Sequence, residues 1–312
     1  MATSGTIITT TTSAAIIQEA LELLGALGEG EYANDQQLES LRRTLNALAV
    51  AWQAAGLNLF AVTSVNIFLV PGQVSYTFPG TISAERYEQG RTVSASATST
   101  SLITLDFSPT LTVGPNSYIA VIDVAGDLKY YPVAAINGAG VTTTLPLTTD
   151  IAAGATAFVF DHIQQDRFMK AVHGLYQAPD GHSIPMKQLS RDEYEALSRK
   201  DSQGVPLQFY VDPQPLTQEV FIWPTATHAD QVVCLDVQRQ LDTSISVYDD
   251  IEYPAEWFFP LATGLAYASS AKYGLPRADT MRLKDLADTY YEMAEGFDFE
   301  WGTSITFEPE TR

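Results

Sequence analysis

Residues 64–78, SVNIFLVPGQVSYTF, lie where the pattern of the sequence changes from helical to extended. Within them, Val65–Val70 and Ser75–Phe78 predict two short strands, because β-branched and aromatic residues favour strands and Pro-Gly breaks them. The same composition continues to about residue 161. It predicts further strands at Leu102–Phe107, Tyr118–Val124, Leu128–Val133, Thr142–Leu145 and Ala157–Phe160. About seven short strands indicate a small antiparallel sandwich or barrel.

Two amphipathic helices precede this stretch, at about residues 13–27 and 35–55. Asn34 followed by Gln37 resembles a capping box at the start of the second helix, and Gly56 suits its end. Apolar residues at spacings of three and four form a stripe on the second helix. They are Leu38, Leu41, Leu45, Leu48 and Trp52.

The sequence after residue 161 is mixed and then returns to a helical pattern. Strands are predicted at Leu207–Val211, Val220–Trp223 and Gln231–Gln238, and Ser190 with Glu193 predicts a capping box that opens a short helix. Two further helices are predicted, one between Pro254 and Gly274 and one over residues 279–295. The apolar residues of the first include Leu261 and Leu265, and the stripe of the second is Leu283, Leu286, Tyr290 and Met293.

None of these helices buries its stripe alone, so we expect the four to pack together. The predicted fold class is α+β: a discontinuous antiparallel helical bundle with inserted antiparallel β-rich modules and an extended C-terminal tail. The predicted bundle core is Leu41, Leu45, Leu48, Trp52, Leu261, Leu265, Leu286 and Tyr290. The predicted parts are an N-terminal arm (1–12), the bundle (13–63 and 249–296), a β-rich module (64–161), a mixed segment (162–248) and the tail (297–312).

The tail has an unusual alternation of apolar and polar residues. Phe297, Phe299, Trp301, Ile305 and Phe307 alternate with polar or acidic residues, which is typical of an extended strand with one apolar face. This strand either pairs with the chain's own sheet or adds to an edge or groove of another protein, with the aromatic rings as anchors.

The chain is strongly acidic, with 37 Asp and Glu against 17 Lys and Arg and a formal net charge of −20. DNA binding requires clustered Lys and Arg that replace phosphate counterions, and no such cluster is present. We therefore expect no specific binding of double-stranded DNA. No apolar run is long enough to cross a bilayer, so no membrane span is expected.

Motifs for catalysis, cofactors and metals are not found in the sequence. It has no phosphate-binding glycine loop, and its four histidines and one cysteine lack metal-site spacing, so we predict no cofactor, no metal and no enzymatic activity. The densest acidic cluster is Asp249, Asp250 and Glu252. A helix start directly after it explains the cluster without catalysis, since negative charge stabilises a helix N-terminus.

Four groups of motifs, in order, resemble the head-to-tail adaptor (connector) proteins of short-tailed bacteriophages, the family of tail tubular protein A and the packaged-DNA stabilisation proteins. The first runs from Ala14-Ala15-Ile16 through Gly28-Glu29-Gly30 to Trp52 and Gly56-Leu57-Asn58-Leu59. The second is Val70-Pro71-Gly72-Gln73 with Tyr76-Thr77-Phe78. The third is Ser190-Arg191-Asp192-Glu193-Tyr194, Gly204-Val205-Pro206, Phe209–Pro213 and Val220–Pro224. The fourth is Tyr253–Trp257, Tyr273–Pro276, Gly296-Phe297-Asp298 and the tail. Coverage is weakest over residues 91–160.

This resemblance implies a structural protein of the virion at the head–tail junction, assembled in the host cytoplasm. The chain would form a homo-oligomeric, dodecameric ring between the portal protein and the tail nozzle protein, as part of the conduit for DNA ejection. The helices would build the ring wall, and the tail would dock into the portal through Phe297, Phe299, Trp301, Ile305 and Phe307. A tail fibre is a further possible partner for residues 91–160.

Two alternative functions fit single features of the sequence. One is a virion-associated cell-wall (peptidoglycan) hydrolase that uses Asp250 with Glu252 or Glu256 as an acid pair. The other is a glycan- or receptor-binding tail protein with Trp223, Tyr130 and Tyr131 as stacking platforms, although rings in strands more commonly pack in a core.

Overall fold

The structure is a computed structural model that describes residues 12–28, 30–55, 59–93, 100–163, 167–242 and 244–297. The chain divides into two compact units. The β unit is Val62–Arg239. The helical unit comprises the described residues of Met1–Ala61 and Gln240–Arg312, so it is built from both ends of the chain.

The described part contains five α-helices and two short 3₁₀ turns. The helices are α1 (Ser13–Leu23), α2 (Asp35–Ala55), α3 (Arg191–Glu195), α4 (Phe258–Ser269) and α5 (Arg277–Phe297), and the 3₁₀ turns are Leu59–Ala61 and Ala255–Trp257.

The ends of the helices follow local chemistry. The predicted capping box of α2 is confirmed, since Asn34 Oδ1 accepts from Gln37 N at 2.9 Å and Gln37 Oε1 accepts from Asn34 N at 3.0 Å. The first helix is shorter than predicted. It ends at Leu23 instead of Leu27, because Gly25 adopts the left-handed conformation, with φ of 66°, that terminates helices.

Helix α4 is the centre of the helical unit. It packs against α1, α2 and α5, and most of its residues are buried, including Thr263 and Gly264. The other helices bury one stripe each, as the spacing of their apolar residues requires. Each fully buried Leu or Ile contributes roughly 1.5–3 kcal/mol to stability.

The described part of the β unit contains fourteen strands. They are β1 (Val62–Phe68), β2 (Ser75–Phe78), β3 (Ser83–Arg91), β4 (Leu102–Thr104), β5 (Ser117–Ile122), β6 (Leu128–Asn137), β7 (Gly140–Thr143), β8 (Thr156–Ile163), β9 (Phe168–Gln177), β10 (Ser183–Pro185), β11 (Lys187–Gln188), β12 (Gln208–Pro213), β13 (Gln218–Trp223) and β14 (Val232–Arg239).

These strands form two sheets. The larger is antiparallel and has ten strands, in the order β10-β9-β14-β1-β3-β8-β5-β6-β7-β4. The smaller has the order β11-β12-β13-β2, with β11 and β12 parallel and the other pairs antiparallel. In the larger sheet, β1 pairs with β14 through seven residues, from Val62 opposite Gln238 to Phe68 opposite Val232.

The two sheets share one hydrophobic core. Val65 and Ile67 of β1 and Leu235 of β14 point into it from the larger sheet, and Phe209 and Ile222 come from the smaller sheet. A second region of the larger sheet has cores on both faces. Ala157 and Val159 belong to one core, and Phe158 and Phe160 to the other. Burial on both faces explains the unbroken apolar run in β8, since successive residues of a strand point to opposite faces.

The predicted fold class is wrong. The described part of the protein is mostly β, with a ten-stranded antiparallel sheet and a second, four-stranded sheet; it is not a helical bundle with inserted β modules. Strands from residues 64–161 and from 162–248 share the larger sheet, because β1 pairs with β14. No strand was predicted at β3, β9, β10 or β11, so the number of strands was underestimated.

No helix of the described residues is long and apolar enough to cross a membrane.

Candidate functional site

The core of the helical unit contains most of the predicted bundle residues. Leu41, Leu45, Leu261 and Leu265 are almost fully buried, and Leu48 and Trp52 pack partly buried against them. Leu286 and Tyr290 lie outside this core and are half-buried. From α5, the core contains Leu283, which belonged to the predicted stripe, and Ala294, and Tyr291 packs partly buried against it.

A close contact between α2 and α4 was not predicted from the sequence. An ideal Cβ on Gly264 would lie 2.7 Å from ring atoms of Trp52 and 3.2 Å from a methyl carbon of Leu48. Since real Cβ atoms do not approach ring carbons so closely, glycine at this position sets the separation of the two helices. The signal in the sequence was a glycine inside an otherwise apolar helix.

An aromatic cluster forms part of this core. The ring centroid of Trp257 lies between 5.6 and 6.1 Å from those of Trp52, Phe60, Tyr253 and Tyr291. The Tyr253 hydroxyl donates to the Ala49 carbonyl oxygen at 3.2 Å, and burial raises the pKa of this hydroxyl to about 12. The cluster packs residues from both ends of the chain against each other and so helps to hold the helical unit together.

The outer side of α4 and α5 carries exposed apolar side chains. Phe259, 51% exposed, stacks on Tyr290 with ring centroids 5.5 Å apart, and Met293, 58% exposed, lies three residues further along α5. Leu286 is on the same face of α5, four residues before Tyr290. We call Phe259, Leu286, Tyr290 and Met293 the outer apolar patch. Exposed apolar groups of this kind mark interaction surfaces more often than isolated residues do.

The predicted docking tail falls largely outside the described residues. This holds for Phe299, Trp301, Ile305 and Phe307, and the docking role stays a prediction. Phe297 is the last residue of α5, so its backbone is helical and not extended as predicted.

The acidic residues proposed for a hydrolase lie in the segment before α4. The Asp249 carboxylate accepts from Ile245 N at 3.0 Å and from Ser246 N at 2.6 Å, and Glu252 Oε2 accepts from Asp242 N at 3.0 Å. Asp250 pairs with Thr12 in an isolated β-bridge, and Glu256 is in the 3₁₀ turn that precedes α4. The carboxylates of Asp249 and Glu252 therefore hold the loop backbone.

The three aromatic residues proposed for glycan stacking do not share one site. Trp223 is half-buried, and its indole Nε1 donates to the Arg199 carbonyl oxygen at 2.8 Å. Tyr131 is 5% exposed and belongs to a core on one face of β6. Tyr130 is on the other face of β6 and lines a cavity. The alternation of a strand separates the two tyrosines, since neighbouring residues point to opposite faces.

The single cysteine is buried, and two of the four histidines have polar partners nearby. Cys234 is buried in β14, and burial followed by the nearby Asp236 carboxylate raises the pKa of its thiol to about 11. His162 Nδ1 lies 3.1 Å from the Ser83 carbonyl oxygen, and His182 Nδ1 lies 3.0 Å from Asp180 Oδ2. Across the described ranges, no group of three or more His, Cys, Asp or Glu residues is arranged to hold a metal ion.

No known protein-family model matches the chain, and no curated protein matches it significantly.

Proposed function

We propose that the chain is a structural subunit of a ring at the head–tail junction of a short-tailed phage, placed between the portal and the tail nozzle. The proposal rests on the ordered series of adaptor-like motifs along the sequence. It assigns the chain no catalytic step and no specific contact with the passing DNA.

The structural roles of the motif residues support this proposal. Trp52 of the first group packs against Gly264, and Trp257 of the fourth group is the centre of the aromatic cluster. In the second group, the Tyr76 hydroxyl accepts from Val70 N at 2.9 Å. The resemblance therefore includes residues that determine packing in this chain.

The outer apolar patch supports self-association. A closed ring requires heterologous contacts, in which one surface of each subunit meets a different surface of the next. Phe259 and Met293 are more than half exposed on the helical unit, and covering them in a subunit contact would remove apolar area from water. We assign the outer apolar patch to one side of this contact.

The charge of the chain supports a role as a conduit. Residues 249–312 contain thirteen acidic and five basic residues and so carry −8 of the net −20. A surface of this sign does not attract DNA phosphates, and its repulsion is screened beyond roughly 10 Å at 0.1 M salt. DNA would pass such a surface without being retained.

A tail variant with a matched control tests the docking part of the proposal. Phe299→Ser, Trp301→Ser and Phe307→Ser together remove the aromatic anchors, whereas Asp298→Asn, Glu300→Gln and Glu308→Gln together change only the interleaved acidic residues. We expect the aromatic variant to fold normally and to lose co-sedimentation with the cognate portal ring, while the acidic control still binds.

Portal binding by the aromatic variant at the wild-type level would refute this docking role. Loss of soluble protein in the aromatic variant alone would also count against it, because it would show that the strand pairs within its own chain.

The absence of catalysis is tested separately. Asp250→Asn and Glu256→Gln remove the acid pair proposed for a hydrolase, and neither carboxylate has a hydrogen bond to the loop backbone comparable to those of Asp249. We expect no release of peptidoglycan fragments by the wild-type chain above the level of this double variant. A wild-type activity that the double variant lacks would establish the hydrolase instead.

A further inference from the structure

A cavity of about 430 Å³ lies in the β unit, beside β2. Its lining comes from the end of β1 and the loop after it, from β2 and the turn that follows, and from Tyr130 of β6. The lining residues are Phe68, Val70, Gln73, Ser75, Tyr76, Thr77, Gly80, Thr81, Ile82 and Tyr130. Ligand-binding cavities typically measure roughly 300–1,000 Å³, and this one falls within that range.

The wall of the cavity is aromatic. Phe68 and Tyr76 are buried, and the ring of Tyr130 is half-buried and meets that of Phe68 edge to face with centroids 6.4 Å apart. Burial raises the pKa of Tyr76 to about 12 and that of Tyr130 further. Like any tyrosine hydroxyl at neutral pH, both hydroxyls are protonated and can donate a hydrogen bond.

Most polar groups at the rim already have partners. The Tyr76 hydroxyl accepts from Val70 N at 2.9 Å, Gln73 Nε2 donates to the Ser75 carbonyl oxygen at 2.7 Å, and Thr81 Oγ1 donates to the Thr77 carbonyl oxygen at 2.8 Å. The Tyr130 hydroxyl has no hydrogen-bond partner among the residues that the structure describes. Tyr130 is half-buried and lines the cavity, and its hydroxyl is not among the buried unsatisfied atoms, so this hydroxyl is accessible to solvent and available to bond to a ligand hydroxyl.

The lining residues carry no charge, although the chain as a whole is strongly acidic. An anionic ligand would find no basic side chain in the cavity, and a cationic ligand would find no carboxylate. A neutral sugar ring matches both features, because its C–H face packs on aromatic rings and its hydroxyls bond to polar groups at the rim.

We propose that this cavity binds one neutral pyranose ring, packed against Tyr130 and hydrogen-bonded to the Tyr130 hydroxyl. None of the lining residues belongs to the outer apolar patch, so the cavity gives the chain a sugar-binding capacity in addition to its proposed structural role. Trp223 and Tyr131 take no part in it.

The test uses saturation-transfer NMR with the full-length chain and a panel of neutral monosaccharides (glucose, galactose, mannose, rhamnose and N-acetylglucosamine), with glucuronate and glucosamine as charged comparisons. Tyr130→Phe removes the hydroxyl and keeps the ring, and Tyr130→Ala removes both. Tyr118→Phe is the matched control, because Tyr118 stacks on Phe160 nearby but does not line the cavity.

We expect at least one neutral sugar to bind with a Kd on the order of millimolar, about threefold weaker in Tyr130→Phe and about tenfold or more weaker in Tyr130→Ala. Tyr118→Phe should bind like wild type. Since the Tyr130 hydroxyl has no partner in the described part of the chain, Tyr130→Phe should also melt at the wild-type temperature, and it remains informative if Tyr130→Ala does not fold.

The absence of binding by every neutral sugar would overturn the proposal, as would equal binding by wild type and Tyr130→Phe, or a preference for glucuronate. A parallel sedimentation assay with purified neutral surface polysaccharide of the host identifies the source of the sugar. Tyr130-dependent binding to the polysaccharide supports a cell-surface ligand, and binding of monosaccharides alone supports a free sugar.

Discussion

Gly264 allows α2 and α4 to approach closely, and its hydrogen is the only side-chain substituent that the space beside Trp52 admits. Sequence patterns cannot reveal such a position directly, because a glycine in a helix is usually a destabilising residue without a specific contact. Which partner a glycine faces depends on how two distant helices pack. The sequence places Trp52 on an apolar stripe, but not opposite Gly264.

We predict that Gly264→Ala destabilises the protein by about 1–3 kcal/mol, although alanine favours helices, because overpacking forces Trp52 or the helix to move. Urea denaturation followed by tryptophan fluorescence measures the change. Gly296→Ala in α5 is the control: its added methyl would meet no heavy atom within 4 Å. This control should be neutral or stabilising by up to about 1 kcal/mol. Equal effects of the two substitutions would contradict the close contact.

The short helix α3 was predicted from its capping box, and the box is present. Ser190 Oγ accepts from Glu193 N at 3.2 Å, and Glu193 Oε2 accepts from Ser190 N at 2.8 Å. The hydrogen bond from Lys187, followed by that from Ser190 N, lowers the pKa of the Glu193 carboxyl to about 2. At this scale the sequence is informative, because a capping box involves only neighbouring residues.

This pKa has a consequence for α3 in acid. A carboxyl with a lowered pKa in the folded state stabilises the fold above its unfolded pKa near 4.5, and this contribution is lost as the pH falls toward about 2. We therefore expect hydrogen exchange of the α3 amides to accelerate between pH 4.5 and 2, relative to the intrinsic rate. Glu193→Gln should show this acceleration much less. A wild-type profile identical to that of Glu193→Gln would contradict the assignment.

The helix α5 shows where an amphipathic pattern is ambiguous. The predicted stripe was Leu283, Leu286, Tyr290 and Met293. Of these, Leu283 is buried in the core, together with Ala294, which the stripe did not include. A stripe predicts that a helix is amphipathic, but its exact angle depends on the partner helix.

We predict opposite outcomes for two substitutions on these helices. Leu265→Asp places a charge at a fully buried position of α4 and should prevent folding, because an unpaired buried charge costs many kcal/mol. Leu286→Asp changes a half-buried residue of the outer apolar patch and should keep the native circular dichroism spectrum. An unfolded Leu286→Asp protein would indicate that Leu286 lies in the core. A folded Leu265→Asp protein would show that α4 is not the centre of the helical unit.

The strands show a similar division between local and distant information. The predicted strands Val65–Val70 and Ser75–Phe78 correspond to β1 and β2, which have a local excess of β-branched and aromatic residues. By contrast, β3 contains Glu85, Arg86, Glu88 and Gln89. Because such residues are not typical of strands, its composition did not predict an extended conformation. Its hydrogen bonds with β8 and β1 hold it in the sheet, and no local pattern reports them.

The organisation of the whole molecule was predicted only in part. The change of pattern near residue 64 lies close to the boundary between the helical unit and the β unit. The predicted fold class was wrong, because it made the four helices the main body of the fold and treated the strands as insertions. The pairing of β14 with both β1 and β9 joins distant parts of the chain in one sheet, and such pairing cannot be read from composition.

The candidate sites differ in whether the sequence alone reveals them. The docking tail was identified from an alternating pattern in the sequence, whereas the outer apolar patch and the cavity at Tyr130 became visible only when distant elements were brought together. Phe259 and Tyr290, for example, lie on different helices and form a surface only because α4 packs on α5.

The ring is the central claim, and mass photometry of the purified chain with and without its cognate portal ring tests it most directly. We predict that portal particles gain the mass of about twelve copies of the 34.0 kDa chain, the number that the resemblance to the adaptor family implies, with no intermediate stoichiometry dominating at saturation. A portal ring whose mass does not change at micromolar concentrations of the chain would contradict the connector function.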